Sequence, residues 1–289
     1  MGTALLRLLH AEGICGIVAG RQPIPTLPGS WRWQKLDLDA AEPGCMAPIG
    51  TLLHVAPLWL LPPLLAPAVL PGLRRVVAVG STSITTKRTS CDPGELGLSL
   101  VLEQAEEAAI RLAEQRRIPL TILRPTMLYG VLPDRQLSLL ARLIARFGFI
   151  PLPGPGCGLR QPLHAADVAL AIRQTMTAPV TFGRTYTLAG GETLSYRAMM
   201  ERLFMAQERT PRIVSLPHWL MRLGFAGMRL MPRYQHLQPG MLQRLERDQV
   251  FASDAARKDF GFVARPFDAK AVVWKGKKDC NENHEQSIG

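Results

Sequence analysis

Three consecutive hydroxyl residues, Ser81, Thr82 and Ser83, follow Gly80 at the end of an apolar run that starts beyond Arg74. A second apolar run ends in Leu123-Arg124-Pro125-Thr126-Met127-Leu128-Tyr129-Gly130. Hydroxyl, guanidinium and phenol groups gathered in this way can hydrogen-bond a polar small molecule and exchange protons with it. Between the two runs, Leu98, Val101, Leu102, Ala105, Ala109 and Leu112 recur at helical spacing. Strand, crossover helix and strand make one parallel βαβ unit. Both polar strand ends then share the sheet edge at which open α/β sheets bind ligands.

The elements that must hold this edge in place can be read around it. Residues 2–13 have apolar positions at helical spacing and close on Gly13, after which residues 14–19 read as a short strand. A Pro/Gly-rich loop over 21–30 precedes a strand at 31–38 that ends Asp37-Leu38-Asp39. Residues 51–73 are apolar enough to suggest a membrane span, yet they hold Pro57, Pro62, Pro63, Pro67 and Pro71. This predicts a buried strand at 52–56 and a Pro-broken apolar connection, with His54 as a core residue. Beyond Gly130 follow a helix at 136–147, a Pro/Gly loop at 149–158, a helix at 165–176 capped near Asp167, a strand at 185–189 and a helix at 195–206. Residues up to Phe267 read as helical or irregular, and the polar residues 268–289 as a disordered tail.

Composition narrows the classes of function. At 289 residues the chain can bury a substantial core. A net charge of +11 raises nucleic acid, anionic lipid or phosphorylated ligands, but the basic residues are scattered without interleaved aromatics, which argues against nucleic acid. Cys15, Cys45, Cys91, Cys157 and Cys280 form no CxxC pair and no metal-ligand spacing with the six histidines, so no metal is expected and the thiols read as reduced and cytoplasmic. No secretory signal is read at the N-terminus. Residues 218–233 mix Trp219, Leu220, Leu223 and Phe225 with Arg222, Arg229 and Arg233, as a membrane-surface helix would; Gly224, Gly227 and Pro232 favour a lobe-packing segment instead.

The Arg74 to Gly130 block resembles the extended short-chain dehydrogenase/reductase family of NAD-dependent sugar-nucleotide epimerases and dehydratases. The resemblance continues in Arg160-Gln-Pro-Leu-His164-Ala-Ala-Asp167-Val-Ala and in Thr185-Tyr-Thr-Leu-Ala-Gly-Gly191, and covers residues 2–267. It implies an α/β fold, a Rossmann-like doubly wound parallel sheet over residues 1–148. A smaller C-terminal substrate lobe would cover 149–267, part of it returning to the sheet. Gly2 matches the last glycine of the family's Gly-rich turn, and the first strand and rest of that turn are missing. A truncated start and a true loss of cofactor binding both account for this.

The resemblance also implies site residues. Gly2, Arg21, Asp37, Ala56, Pro125 and Thr126 match positions that line NAD or NADP, and the basic Arg21 favours NADP, although Asp37 also suits a simple turn. Active members hold the substrate hydroxyl with a Ser or Thr, matched by Ser81, Thr82 and Ser83, with the spacing favouring Ser81. They add a Tyr that moves its proton and a Lys four residues later that lowers the Tyr pKa. Counting back from Glu106 or Glu107, that pair falls on Leu98 and Leu102 or on Ser99 and Glu103. Lys87 or Tyr129 could substitute, though a solvated loop charge and a packed tyrosine are the simpler readings. Arg160, and Arg244 one residue out of register, match arginines that pair with a substrate diphosphate. The expected activity is that of an NAD(P)-dependent epimerase/dehydratase-like oxidoreductase on a nucleotide-sugar or related small molecule, in a chain that could form a homodimer. The rival is a non-catalytic binding or assembly module; a peripheral membrane protein is the third expectation.

Overall fold

The computed structural model describes the chain except residues 25–26, 41–47, 67–68, 71, 131–136, 218, 222, 224–244 and 273–289. The chain opens with helix α1 (Gly2–Ala11), whose Leu5, Leu6 and Leu9 are buried, and continues into β1 (Gly16–Gly20), β2 (Trp31–Lys35) and β3 (Thr51–His54). The apolar connection is tighter than a broken loop. It makes one helical turn, α2 (Leu61–Leu64), with its prolines in the first turn, where the missing N–H groups have no intrahelical acceptor. Next come β4 (Arg75–Val79), α3 (Ser83–Thr86), the crossover helix α4 (Pro93–Gln115) and β5 (Leu120–Pro125). Asp92 caps α4 by accepting from the Gly94 and Glu95 amides at 2.9 and 3.2 Å, and Pro93 pre-sets the first turn.

The second half holds β6 (Leu128–Tyr129), α5 (Leu137–Phe147), β7 (Ile150–Pro153), β8 (Leu159–Arg160), β9 (Leu163–His164) and α6 (Ala165–Met176). It ends with β10 (Thr185–Leu188), β11 (Leu194–Ser195), α7 (Tyr196–Met205), β12 (Ile213–Leu216) and α8 (Asp254–Phe260).

The main sheet is parallel, in the order β10-β5-β4-β3, so β10 returns from the second half to extend it. Every residue of β4 is buried, as expected of a central parallel strand covered on both faces. Val76 and Ala78 face the α4 side, packed with Leu58, Leu61 and Leu102, whereas Val77 and Val79 face α1 and α6 with Leu5, Leu9 and Ile172. This is the doubly wound arrangement. β1 and β2 pair in parallel as a separate sheet; no backbone pairing joins β1 to β3, and apolar Ile17, Val18, Leu52 and Leu53 are only half-buried. A third cluster of Tyr129, Ile144, Ile150, Tyr196, Phe204 and Val272 forms the core of the second lobe.

Several expectations needed correction. The strand at 31–38 stops at Lys35, and Leu38–Ala40 turn as a 3-10 helix. The stretch after α7 contains a strand, β12, paired in parallel with β7. Asp167 does not cap α6: the cap is His164, whose Nδ1 accepts from the Ala166 amide at 3.1 Å, while Asp167 binds the Arg265 amide and guanidinium. Residues 268–272 are packed, Asp268 accepting from the Lys270 amide and Val272 fully buried. No described helix is long and apolar enough to cross a membrane. Trp219, Leu220 and Leu223, read as lobe-packing, are exposed.

Candidate functional site

Ser81, Thr82 and Ser83 lie at the carboxyl edge of β4, beside the carboxyl end of β5. The Thr82 amide and hydroxyl both donate to Pro125 O, at 3.2 and 3.1 Å, so this buried side chain is committed to the fold. Ser81 Oγ accepts from the Ser83 amide at 3.1 Å, which closes the turn into α3 and leaves its own proton free to donate. Both serines are half-buried, and Ser83 Oγ makes no hydrogen bond among the described residues. Ser81 and Ser83 are therefore the hydroxyls available at this edge.

Helix α4, opposite them, carries the residues of both registrations. Glu106 is 4% exposed and receives two hydrogen bonds from the Arg124 guanidinium, Nε at 3.0 Å and a second from Nη2, which ties α4 to the end of β5. The Glu106 carboxylate is thus buried and doubly bonded, whereas Glu107 is exposed. In the registration counted from Glu106, Leu98 and Leu102 fall where the resemblance implies a Tyr and a Lys, and both pack into the apolar cluster with Leu58 and Ile84. In the other registration both groups are occupied: Ser99 Oγ donates to Ile84 O at 2.6 Å and Glu103 pairs with Arg88 at 3.0 Å. Sequence reasoning quoted Glu106 and Arg124 separately; an acidic helix residue before an arginine at the next strand's end was the signal that joins them.

The remaining candidates divide. Tyr129 is fully buried, its hydroxyl donating to Pro266 O at 3.3 Å and accepting from the Asp268 amide at 3.1 Å, and burial pushes its pKa up. It reads as a packed tyrosine. Thr126 Oγ1 donates to Gln161 O at 2.6 Å and its amide to Leu188 O at 2.9 Å, so it ties Pro125 and β5 to the second lobe. Arg160 is 2% exposed, with Nη1 donating to Leu159 O at 2.6 Å and Arg247 O at 2.7 Å and its guanidinium 5.9 Å from the Tyr196 ring. Asp248 accepts from the Leu159 amide at 2.8 Å; Arg244 lies outside the described residues. No group of acidic, His or Cys side chains suited to a metal occurs among the described residues.

Around α1 the geometry differs. Gly2 begins the helix, a Cβ built there would lie 3.8 Å from Val55 Cγ2, and the first turn carries no acidic residue and no side-chain cap. The helix N-terminus thus stands beside Val55, just past the carboxyl end of β3, where its amides favour an anion. Arg21, directly after β1, is exposed and makes no ion pair among the described residues. Asp37 Oδ1 accepts from the Asp39 amide at 3.2 Å, as in a turn. A helix amino end and the exposed Arg21 are chemically suited to a phosphate, whereas Leu98 and Leu102 offer no group that could transfer a proton.

Solved structures share this architecture. UDP-glucuronic acid 4-epimerase from Bacillus cereus, solved with NAD, superposes with a TM-score of 0.71 at 12% identity, over 94% of this chain and 92% of that one. A short-chain dehydrogenase/reductase superfamily protein from Agrobacterium tumefaciens with bound NAD gives 0.67 at 13% identity, over 99% and 95%. The chain has the extended short-chain dehydrogenase/reductase fold. No protein-family model matches it. In sequence, one curated relative of this short-chain dehydrogenase/reductase-fold chain is NADH dehydrogenase [ubiquinone] 1 alpha subcomplex subunit 9, mitochondrial, from Arabidopsis thaliana. The two are 32% identical over 114 residues, 39% of this chain, and the match spans 27% of the relative's length.

Two histidines of this fold set its response to acid. His54 is buried with Nε2 bonded to Pro57 O at 3.1 Å, and burial holds its pKa below the ordinary 6.5. His164 is lowered too, first by burial and then by Arg265, in keeping with its acceptor role at Nδ1. Both pKa values are lower folded than unfolded, so the unfolded chain takes up protons first, and stability is lost as pH falls through the unfolded value. The melting temperature is expected to drop between about pH 7 and pH 5, and His54→Gln to flatten that drop. An unchanged melting curve across this window would contradict the assignment.

Proposed function

We propose that this chain is a non-catalytic member of its fold, serving as a binding or assembly module rather than as an oxidoreductase. The observation that carries the reading is the Glu106–Arg124 pair, because it supports the registration that puts Leu98 and Leu102 where a Tyr and a Lys would move a proton. An alkyl side chain can neither give nor take one. The engaged Thr82 hydroxyl and packed Tyr129 supply no substitute. The likeness to a subunit of a mitochondrial NADH dehydrogenase supports assembly into a larger complex of that kind. Exposed Leu96, Leu100 and Val101 on α4 support a second copy of the chain as a further partner. Free Cys15, Cys91 and Cys157 support a reducing compartment. A dinucleotide held by the α1 amides and Arg21 would act as a structural ligand, NADP in preference to NAD because Arg21 is basic.

The second reading, an NAD(P)-dependent epimerase/dehydratase-like oxidoreductase on a nucleotide-sugar, is favoured by the open Ser81 and Ser83 hydroxyls and by the NAD-bound epimerase of similar fold. Native electrophoresis of the tagged chain from its own cells separates the two. The assembly reading predicts co-migration with a high-mass band that oxidises NADH. Migration only as a free monomer or dimer that turns over a nucleotide-sugar would favour the oxidoreductase.

A further inference from the structure

The lobe built on α5, β7, α7 and β12 leaves large apolar side chains uncovered. Phe147 at the end of α5 is 57% exposed and Phe149 before β7 is 45% exposed, their ring centroids 6.5 Å apart and edge to face. Met205 closes α7 at 59% exposure. The fold brings these residues together: Ile150 donates to Arg212 O at 3.0 Å where β7 and β12 begin to pair, and Arg209 Nη1 reaches Ile144 O at 3.4 Å. Residues 137–150 and 205–216 hold four arginines, Arg142, Arg146, Arg209 and Arg212, against one carboxylate, Glu208. All four arginines are exposed and none forms an ion pair among the described residues; the Arg146 guanidinium lies 5.5 Å from the Phe147 ring centroid.

Exposed aromatic side chains beside guanidinium groups that form no ion pair among the described residues suit an interface that is apolar at depth and anionic at its surface. We propose that this face docks on an anionic phospholipid surface. Phe147 and Phe149 enter the headgroup layer, and the four arginines engage lipid phosphates through the fork geometry that matches that group. The docking stands apart from the functional reading above, since neither Ser81 nor α4 takes part in it. It also places the contact earlier in the chain than residues 218–233.

Sedimentation of the full chain with vesicles tests it, using phosphatidylcholine alone and phosphatidylcholine with about 30 mol% phosphatidylserine. The anionic vesicles should pellet the chain and the neutral ones should not, with binding lost as salt rises from about 50 to about 300 mM. Arg142→Glu with Arg146→Glu should weaken the partition at least about tenfold. Phe147→Ser with Phe149→Ser should weaken it about as much while preserving the salt dependence. All four positions are exposed, and an unchanged melting curve verifies that each double variant is folded. Failure to pellet with anionic vesicles at low salt overturns the proposal, as does undiminished binding by both folded variants. Capture by an acidic protein without any vesicle binding also overturns it and gives the face to a protein partner.

Discussion

Replacing Arg75 with methionine is expected to lower the unfolding free energy by about 3 kcal/mol, because it strips a buried polar knot of its central donor. Arg75 begins β4 and is 6% exposed. Its guanidinium donates to Thr121 Oγ1 and Thr175 O, both at 2.7 Å, to Pro119 O at 2.9 Å, to Val76 O at 3.0 Å, and to Met176 O and Thr181 Oγ1 at 3.2 Å. Phe182 covers it, with the ring centroid 4.4 Å from the guanidinium carbon. Burial pulls its pKa down to about 10, so it stays charged at neutral pH. These acceptors lie in β4, in α6, in β5 and the residue before it, and in the turn Pro179–Thr181, and without Arg75 each loses a hydrogen bond where water cannot readily replace it. Lysine should restore only part of the loss, since an ammonium offers three donors without a planar fork or a face to stack on the ring. A urea titration reads the shift; a loss below about 1 kcal/mol would show that the knot relaxes around the gap.

Gly190→Ala is expected to cost more than about 3 kcal/mol, or to prevent folding, for a steric reason. A Cβ at Gly190 would overlap the carbonyl oxygen of Pro162 and stand 2.6 Å from its carbon and 2.9 Å from Gln161 C. These are backbone atoms, so no side chain can swing away. Displacing them would also disturb Gln161 O, which accepts from Thr126 Oγ1, and the neighbouring Arg160. Gly97 provides the contrast: it sits inside α4 with nothing within 4 Å of a built Cβ. Gly97→Ala should therefore stabilise the chain by roughly 0.5 to 1 kcal/mol. Melting temperatures that move the same way for both variants would contradict the packing at Gly190.

The parallel sheet was legible in the sequence because β4 and β5 are continuous apolar runs ending in polar residues, and a long amphipathic stretch separates them. The hydroxyl edge came with it, since strand direction alone puts Ser81 and Pro125 side by side. What escaped was set by contacts distant in sequence. β12 is four residues between Pro211 and Pro217, too short for a periodic signal, and pairs with a strand some sixty residues earlier. His164 and Asp167 were both visible; which one caps α6 depended on Arg265, 98 residues on, claiming the carboxylate. The absence of a Tyr and Lys at the expected spacing was legible by counting back from Glu106 or Glu107, whereas the Glu106–Arg124 contact, which favours Leu98/Leu102 over Ser99/Glu103, joins two elements that stand apart in the sequence.

The central claim is that the Ser81 edge lacks the Tyr and Lys pair by which enzymes of this fold move a proton. Product chromatography of UDP-glucuronic acid incubated with the purified chain and NAD or NADP tests it most directly. The account predicts no epimer and no other product above the buffer blank with either cofactor, in a sample whose melting curve shows a folded chain. Saturable product formation that Ser81→Ala abolishes would contradict it, and would make the hydroxyl edge beside Leu98 and Leu102 an active site.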